Sequence, residues 1–131
     1  MADILVVDDD RDYRRTLCRL FEAEGHTTAE ASDGCAALAL LQVMWGPYIV
    51  ILDHRMPRMD GCTFLEHVVA AHAGEETIGP RFILCSASDP AMLRSRYAAL
   101  ANRVRLAFVR KPYDADELLE LVGAPAARRA S

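Results

Sequence analysis

Lysine is nearly missing from this chain. Of fifteen basic residues, fourteen are arginine and one is lysine: Lys111, followed directly by Pro112. A lysine ammonium is a compact, strongly hydrated point charge on a flexible stem, whereas arginine presents a wide planar fork. In a sequence so biased toward guanidinium, the surviving ammonium marks a place that needs a small cation, facing one anion in a narrow pocket. Other shortages exclude whole classes of protein. Apolar runs such as Ile49-Val50-Ile51-Leu52 are strand-sized, far short of the roughly 20 residues that cross a bilayer. Asp3, Asp8, Asp9 and Asp10 occupy the N-terminus, where a signal peptide needs a basic start and a longer apolar stretch. Basic excess is lacking too: the net charge is −4 and Arg128-Arg129 is too short a patch, so no direct nucleic-acid binding is expected. Cys18, Cys35, Cys62 and Cys85 form no C-x-x-C pair and stand in apolar or helical contexts. They read as buried free thiols of a protein kept in a reducing cytoplasm.

The 131 residues fit a single domain, expected over 1–122, with 123–131 a short flexible tail or the start of a linker. Within it, apolar runs and helical stretches alternate five times. Ile4-Leu5-Val6-Val7 lacks polar alternation and reads as a strand buried on both faces. Arg11 to Glu24 follows as a helix, with Tyr13, Leu17, Leu20, Phe21 and Glu24 along one side and Gly25 as its stop. His26 to Ala31 is a more polar strand suited to an edge, and Ser32-Asp33-Gly34 caps a helix carrying Leu38 and Leu41. Tyr48 to Leu52 is a strong strand; Asp60-Gly61 opens a helix with Phe64, Leu65, Val68 and Val69 on one face. After a polar loop over Gly74 to Pro80 come a strand from Arg81 to Cys85 and a helix opened by Asp89-Pro90, with Leu93, Tyr97 and Leu100 aligned. A strand from Arg105 to Val109 and a helix opened by Asp114 complete the series. Such alternation predicts an α/β fold with a doubly wound parallel sheet.

In such sheets ligands bind outside the carboxyl ends of the strands. Strand one ends in Asp8 and Asp9, strand three in Asp53, strand four in Ser86 and strand five in Lys111. An aspartate after a strand is commonly just a turn or cap residue; the joint pattern, with the one lysine inside it, is what points to a site. Three carboxylates gathered in apolar surroundings repel one another and call for protonation or a cation. A few oxygen ligands beside a phosphate suit Mg²⁺ or Mn²⁺.

Val6-Val7-Asp8-Asp9-Asp10, the run from Leu52-Asp53-His54-Arg55 to Met59-Asp60-Gly61, Ser86-Ala87 and Lys111-Pro112 together resemble the receiver domain of bacterial two-component response regulators, over about residues 3 to 122. The resemblance implies a flavodoxin-like, CheY-like (βα)5 fold with strand order 2-1-3-4-5. It implies that Asp53 accepts a phosphoryl group from a histidine kinase or phosphotransfer protein. Mg²⁺ would be held by Asp9, Asp53 and the backbone carbonyl of Arg55, with Asp8 acting through water. Ser86 would donate its hydroxyl to the phosphoryl group and Lys111 would supply the remaining cation. The Lys111-Pro112 bond is expected to be cis. Phe108 stands where the family often has a switching tyrosine, and so lacks that hydroxyl. The Arg55 side chain could reach over the site and tune dephosphorylation. Output would run through helix 4, strand 5 and helix 5, where Arg94, Arg96, Arg103, Arg105 and Arg110 cluster, toward an unidentified output protein or, on phosphorylation, a second copy.

The chain reads as a signalling switch acting only on its own phosphoryl group, either a stand-alone regulator or a receiver piece of a longer regulator or hybrid kinase. An Mg²⁺-dependent phosphohydrolase of the haloacid-dehalogenase type would need an aspartate where Arg55 stands, and a flavodoxin would need hydroxyls where Asp8-Asp9-Asp10 repel phosphate. His67 and His72, five apart, do not make a helical metal pair, and His26 and His54 read as isolated.

Overall fold

The computed structural model describes residues 3–43, 49–74 and 78–123. Strands β1 (Ile4–Val7), β2 (Thr28–Ala31), β3 (Ile49–Asp53), β4 (Arg81–Ser86) and β5 (Arg105–Arg110) alternate with helices α1 (Arg11–Ala23), α2 (Gly34–Val43), α3 (Gly61–Ala71), α4 (Pro90–Arg96) and α5 (Ala115–Val122). The strands form one sheet in the order β2-β1-β3-β4-β5, parallel throughout. This is the flavodoxin-like arrangement expected from the resemblance.

The central strands are apolar because both of their faces are covered. Successive side chains point to opposite sides of a sheet, and the core divides accordingly. Leu5, Val7, Val50, Leu52, Phe82 and Leu84 pack with α2, α3 and α4. Ile4, Val6, Ile49, Ile51, Ile83 and Val109 pack with α1 and α5. The outer strand β2 shows only one buried residue, Ala31, as its polar sequence suggested.

Five aspartates start helices. Asp10, Asp33, Asp60, Asp89 and Asp114 each accept a hydrogen bond from a first-turn amide, at 3.1, 2.8, 2.8, 2.9 and 3.4 Å, satisfying donors that a helix leaves unpaired. Asp8, Asp9 and Asp53 start no helix. Gly25 closes α1 at φ 94°, a conformation that glycine adopts without a Cβ penalty. Gly61 is required for space: a Cβ there would lie 2.7 Å from the Tyr97 hydroxyl and 2.9 Å from Leu84 Cδ1.

Several expectations shift at the margins. Glu24, placed on the inner side of α1, is exposed, and Cys18 takes its share of the core. β4 runs one residue further, so Ser86 ends the strand itself. Cys35 is exposed, whereas Cys18, Cys62 and Cys85 are buried; all four are free. Cys35 faces out because Gly34 and Ala37 turn the inner side of α2 toward the core. His26 is not isolated. It is buried between elements, with Nε2 3.2 Å from the Gly123 carbonyl oxygen and Nδ1 3.5 Å from Asp3 Oδ2. Tyr48, the middle of the Gly74–Pro80 loop and the tail beyond Gly123 lie outside the described residues.

Candidate functional site

The register of the sheet builds the site. Val7 pairs with Leu52 and Asp53 with Cys85, so Asp8 and Asp53 leave their strands level with each other. They do so between β1 and β3, where strand order reverses. One carboxylate oxygen from each of Asp8, Asp9 and Asp53 falls within 4.8 Å of the others. Asp8 is buried, Asp53 half-buried and Asp9 exposed. Among the described residues this is the one such cluster of potential metal ligands.

Lys111 meets this cluster from β5. Its backbone amide donates to the Ser86 carbonyl at 2.8 Å, which fixes the strand end, and its Nζ donates to Asp53 Oδ2 at 3.0 Å. The other Asp53 oxygen accepts the Arg55 amide at 3.2 Å. Ser86 is buried, and its Oγ accepts the Ser88 amide at 3.1 Å, which leaves its proton free to donate. The Lys111-Pro112 bond is cis, as expected. A cavity of about 700 Å³ opens on the Asp8–Asp10 side of the Asp53–Lys111 pair, and a smaller one of about 260 Å³ on the side of Arg55, Ser86 and Ser88.

The electrostatics are strained at rest. Burial pushes the Asp8 carboxyl up from its ordinary value; the Asp10 amide and Lys111 oppose this, while Asp53 and Asp9 add to it. Burial alone would lower the Lys111 ammonium, but its hydrogen bond to Asp53 and the charges of Asp53 and Asp8 outweigh that and raise it. Two hard oxygen donors per carboxylate, in excess of the local positive charge, are the donor set that a small divalent cation satisfies.

A sequence profile, the response regulator receiver domain, matches residues 4–123. The chain belongs to this family. Receiver domains are phospho-accepting switches, and relatives carry the same module. The regulatory protein AtoC of Escherichia coli is 33% identical over 121 residues, 88% of this chain and 23% of that protein. The positive alginate biosynthesis regulatory protein of Pseudomonas aeruginosa is 33% identical over 121 residues, 90% of this chain and 44% of that protein. The chain thus spans less than half the length of these two curated relatives. Among solved structures, the Vibrio cholerae chemotaxis protein CheY4 superposes with a TM-score of 0.78 at 23% identity, over 93% of this chain and 96% of that one. The receiver domain of the hybrid histidine kinase CckA gives 0.68 at 27% identity, over 91% and 94%.

Three features of this receiver had no separate signal in its sequence. Arg14 donates through Nη1 to the Asp8 carbonyl oxygen at 2.8 Å and through Nε to Glu30 at 2.9 Å, clamping the end of β1 from α1 and β2. His54, which follows Asp53, is not isolated: its Nδ1 is 2.7 Å from the Tyr97 hydroxyl. The Tyr97 ring in turn meets Phe108 edge-on, with centroids 5.8 Å apart. Tyr13 places its ring under Lys111, 5.0 Å from Nζ.

The cost of burying Asp8 has a measurable side. Because folding raises its pKa, the group contributes stability only while protonated, and that contribution is lost as pH rises through the folded value. Asp8→Asn removes the penalty and one potential ligand together. We expect it to raise the metal-free melting temperature by a few degrees and to shrink the further rise expected of the wild type in millimolar Mg²⁺. Calorimetry with and without Mg²⁺ checks both; a lower metal-free melting temperature would contradict it.

Proposed function

We propose that Asp53 is the phosphoacceptor, taking a phosphoryl group from a histidine kinase or phosphotransfer protein in the cytoplasm. The observation that carries this reading is the Lys111–Asp53 ion pair at 3.0 Å standing against the Asp8-Asp9-Asp53 cluster. An Asp53 oxygen attacks phosphorus, and the bond from phosphorus to the donor's leaving nitrogen breaks, leaving an aspartyl phosphate. Lys111 neutralises one equatorial oxygen and the Ser86 hydroxyl donates to another. Mg²⁺ or Mn²⁺, held by Asp9, Asp53 and the Arg55 carbonyl with Asp8 through water, would offset the repulsion between the carboxylate and the anionic donor.

Withdrawal of Ser86 and Lys111 toward the phosphoryl group is the change to be read at α4, β5 and α5. Phe108 carries no hydroxyl, so its rotation makes no new polar contact. A groove lined by Arg94, Tyr97, Ala98, Leu106 and Phe108 is the surface offered to an output protein or a second copy. The role is that of a switch rather than an enzyme with an external substrate, with the receiver unit ending near residue 122.

Incubation with Mg²⁺ and acetyl phosphate should add a single acid-stable, base-labile phosphoryl group per chain, seen by intact mass, and chelation of Mg²⁺ should prevent it. Release of many phosphates per chain would instead mark a hydrolase. In the same assay Arg55→Ala should speed decay of the phosphorylated form roughly two- to fivefold, the range an exposed ion pair supports. An unchanged decay rate would remove Arg55 from the account.

A further inference from the structure

We propose that Tyr13 is a positioning residue for Lys111, its ring forming the seat on which the ammonium swings between the Asp53 carboxylate and the phosphoryl group. The inference rests on the reading of Asp53 as phosphoacceptor. Lys111 Nζ stands 5.0 Å from the Tyr13 ring centroid and 3.0 Å from Asp53 Oδ2, so it holds both contacts at once. A cation over an aromatic face within about 6 Å is attracted by the ring quadrupole. That attraction is broad across the face and tolerates a shift of the cation, unlike a directed hydrogen bond.

The position of Tyr13 is set by the site itself. Asp10 accepts the Tyr13 amide at 3.1 Å, and the Asp10 amide donates to Asp8 Oδ1 at 2.9 Å. The loop that carries the carboxylates therefore also aims the ring. The Tyr13 hydroxyl is buried and has no hydrogen-bond partner among the described residues. A buried unpaired hydroxyl carries a desolvation penalty, so what this position contributes is the ring and not the oxygen. The ring also covers one side of Lys111, which is partly shielded from water, and shielding strengthens a cation–π contact.

The uniqueness of Lys111 makes the contact visible. Uniform labelling of lysine alone yields one side-chain signal, whose ε-methylene shift reports the ring above or below it. The full chain with Mg²⁺ and acetyl phosphate supplies the reaction rate, and wild type, Tyr13→Phe, Tyr13→Leu and Tyr13→Met are compared. Tyr13→Phe should keep the ring-shifted lysine signal and react within about twofold of wild type. Tyr13→Leu and Tyr13→Met should lose the ring shift and react roughly three- to tenfold more slowly, the scale of one partly shielded cation–π contact. Two non-aromatic variants guard against one of them folding poorly. Leu and Met variants as fast as wild type would overturn the proposal, and so would a Phe variant as slow as they are. A wild type that takes up no phosphoryl group would instead refute the phosphoacceptor reading, and the proposal with it.

Discussion

Asp53→Asn is expected to take up no phosphoryl group from acetyl phosphate, its mass staying unchanged where the wild type gains one group. Asparagine keeps the shape and its oxygen can still accept the Arg55 amide now found at 3.2 Å. It lacks the anionic oxygen that would attack phosphorus in the proposed reaction, so the loss should be roughly 10³-fold or more, as when a nucleophile is removed outright. The fold should survive, because one charge leaves a cluster in which three carboxylates crowd within 4.8 Å. Lys111 loses its partner at 3.0 Å but retains the attraction of Asp8, which already contributes to its raised pKa. Circular dichroism and intact mass on the same sample separate loss of chemistry from loss of structure. Persisting base-labile uptake would place the acceptor elsewhere.

Lys111→Arg should uncouple uptake from response. The ammonium sits within contact of both Asp53 and the Tyr13 ring, and its backbone is pinned to Ser86 by the 2.8 Å amide bond. A guanidinium in that space is longer and planar and pairs a carboxylate with two parallel hydrogen bonds. It would hold Asp53 bidentately and could not follow a single oxygen onto the phosphoryl group. Uptake should persist, slowed by roughly tenfold, the cost of about 1.4 kcal/mol from holding the nucleophile more tightly. The phosphorylation-dependent shifts of amide signals in α4 and β5 should vanish. Normal shifts in the arginine variant would mean that the scarcity of lysine is mere composition.

The site was legible because the chemistry lies at the ends of unbroken apolar runs. Leu52-Asp53 and Val7-Asp8-Asp9 each place charge directly after a strand that cannot be anything but buried, and parallel registry then aligns them. Four helix starts were legible for a local reason too, an aspartate ahead of the first turn of α2, α3, α4 and α5, whereas Asp10 capping α1 was hidden in the acidic run. Contacts across the chain were not. His54 and Tyr97 are 43 residues apart, and neither the histidine after Asp53 nor the tyrosine that caps the end of α4 announces the other in sequence. Tyr13 was read as a core residue of α1, and it does pack there. Which cation its ring faces depends on where β5 ends, and periodicity within one helix carries no such information. Cys35 shows the converse failure: an apolar neighbourhood in sequence says little about the side of α2 on which one residue falls.

His26 gives the domain a second, opposite anchor. Its Nε2 lies 3.2 Å from the carbonyl oxygen of Gly123, just past the end of α5, and its Nδ1 lies 3.5 Å from Asp3, just before β1, while the carboxylates stand at the other end of β1. Four strand residues lie between Asp3 and Asp8, so the two ends are roughly 16 Å apart at about 3.3 Å per residue step. The end of α5 is therefore tied to the corner of the sheet opposite the carboxylates. Mechanically it is moored rather than levered. A change at the α4–β5 side, as proposed for the phosphorylated form, would reach a partner across that face rather than through this tied corner.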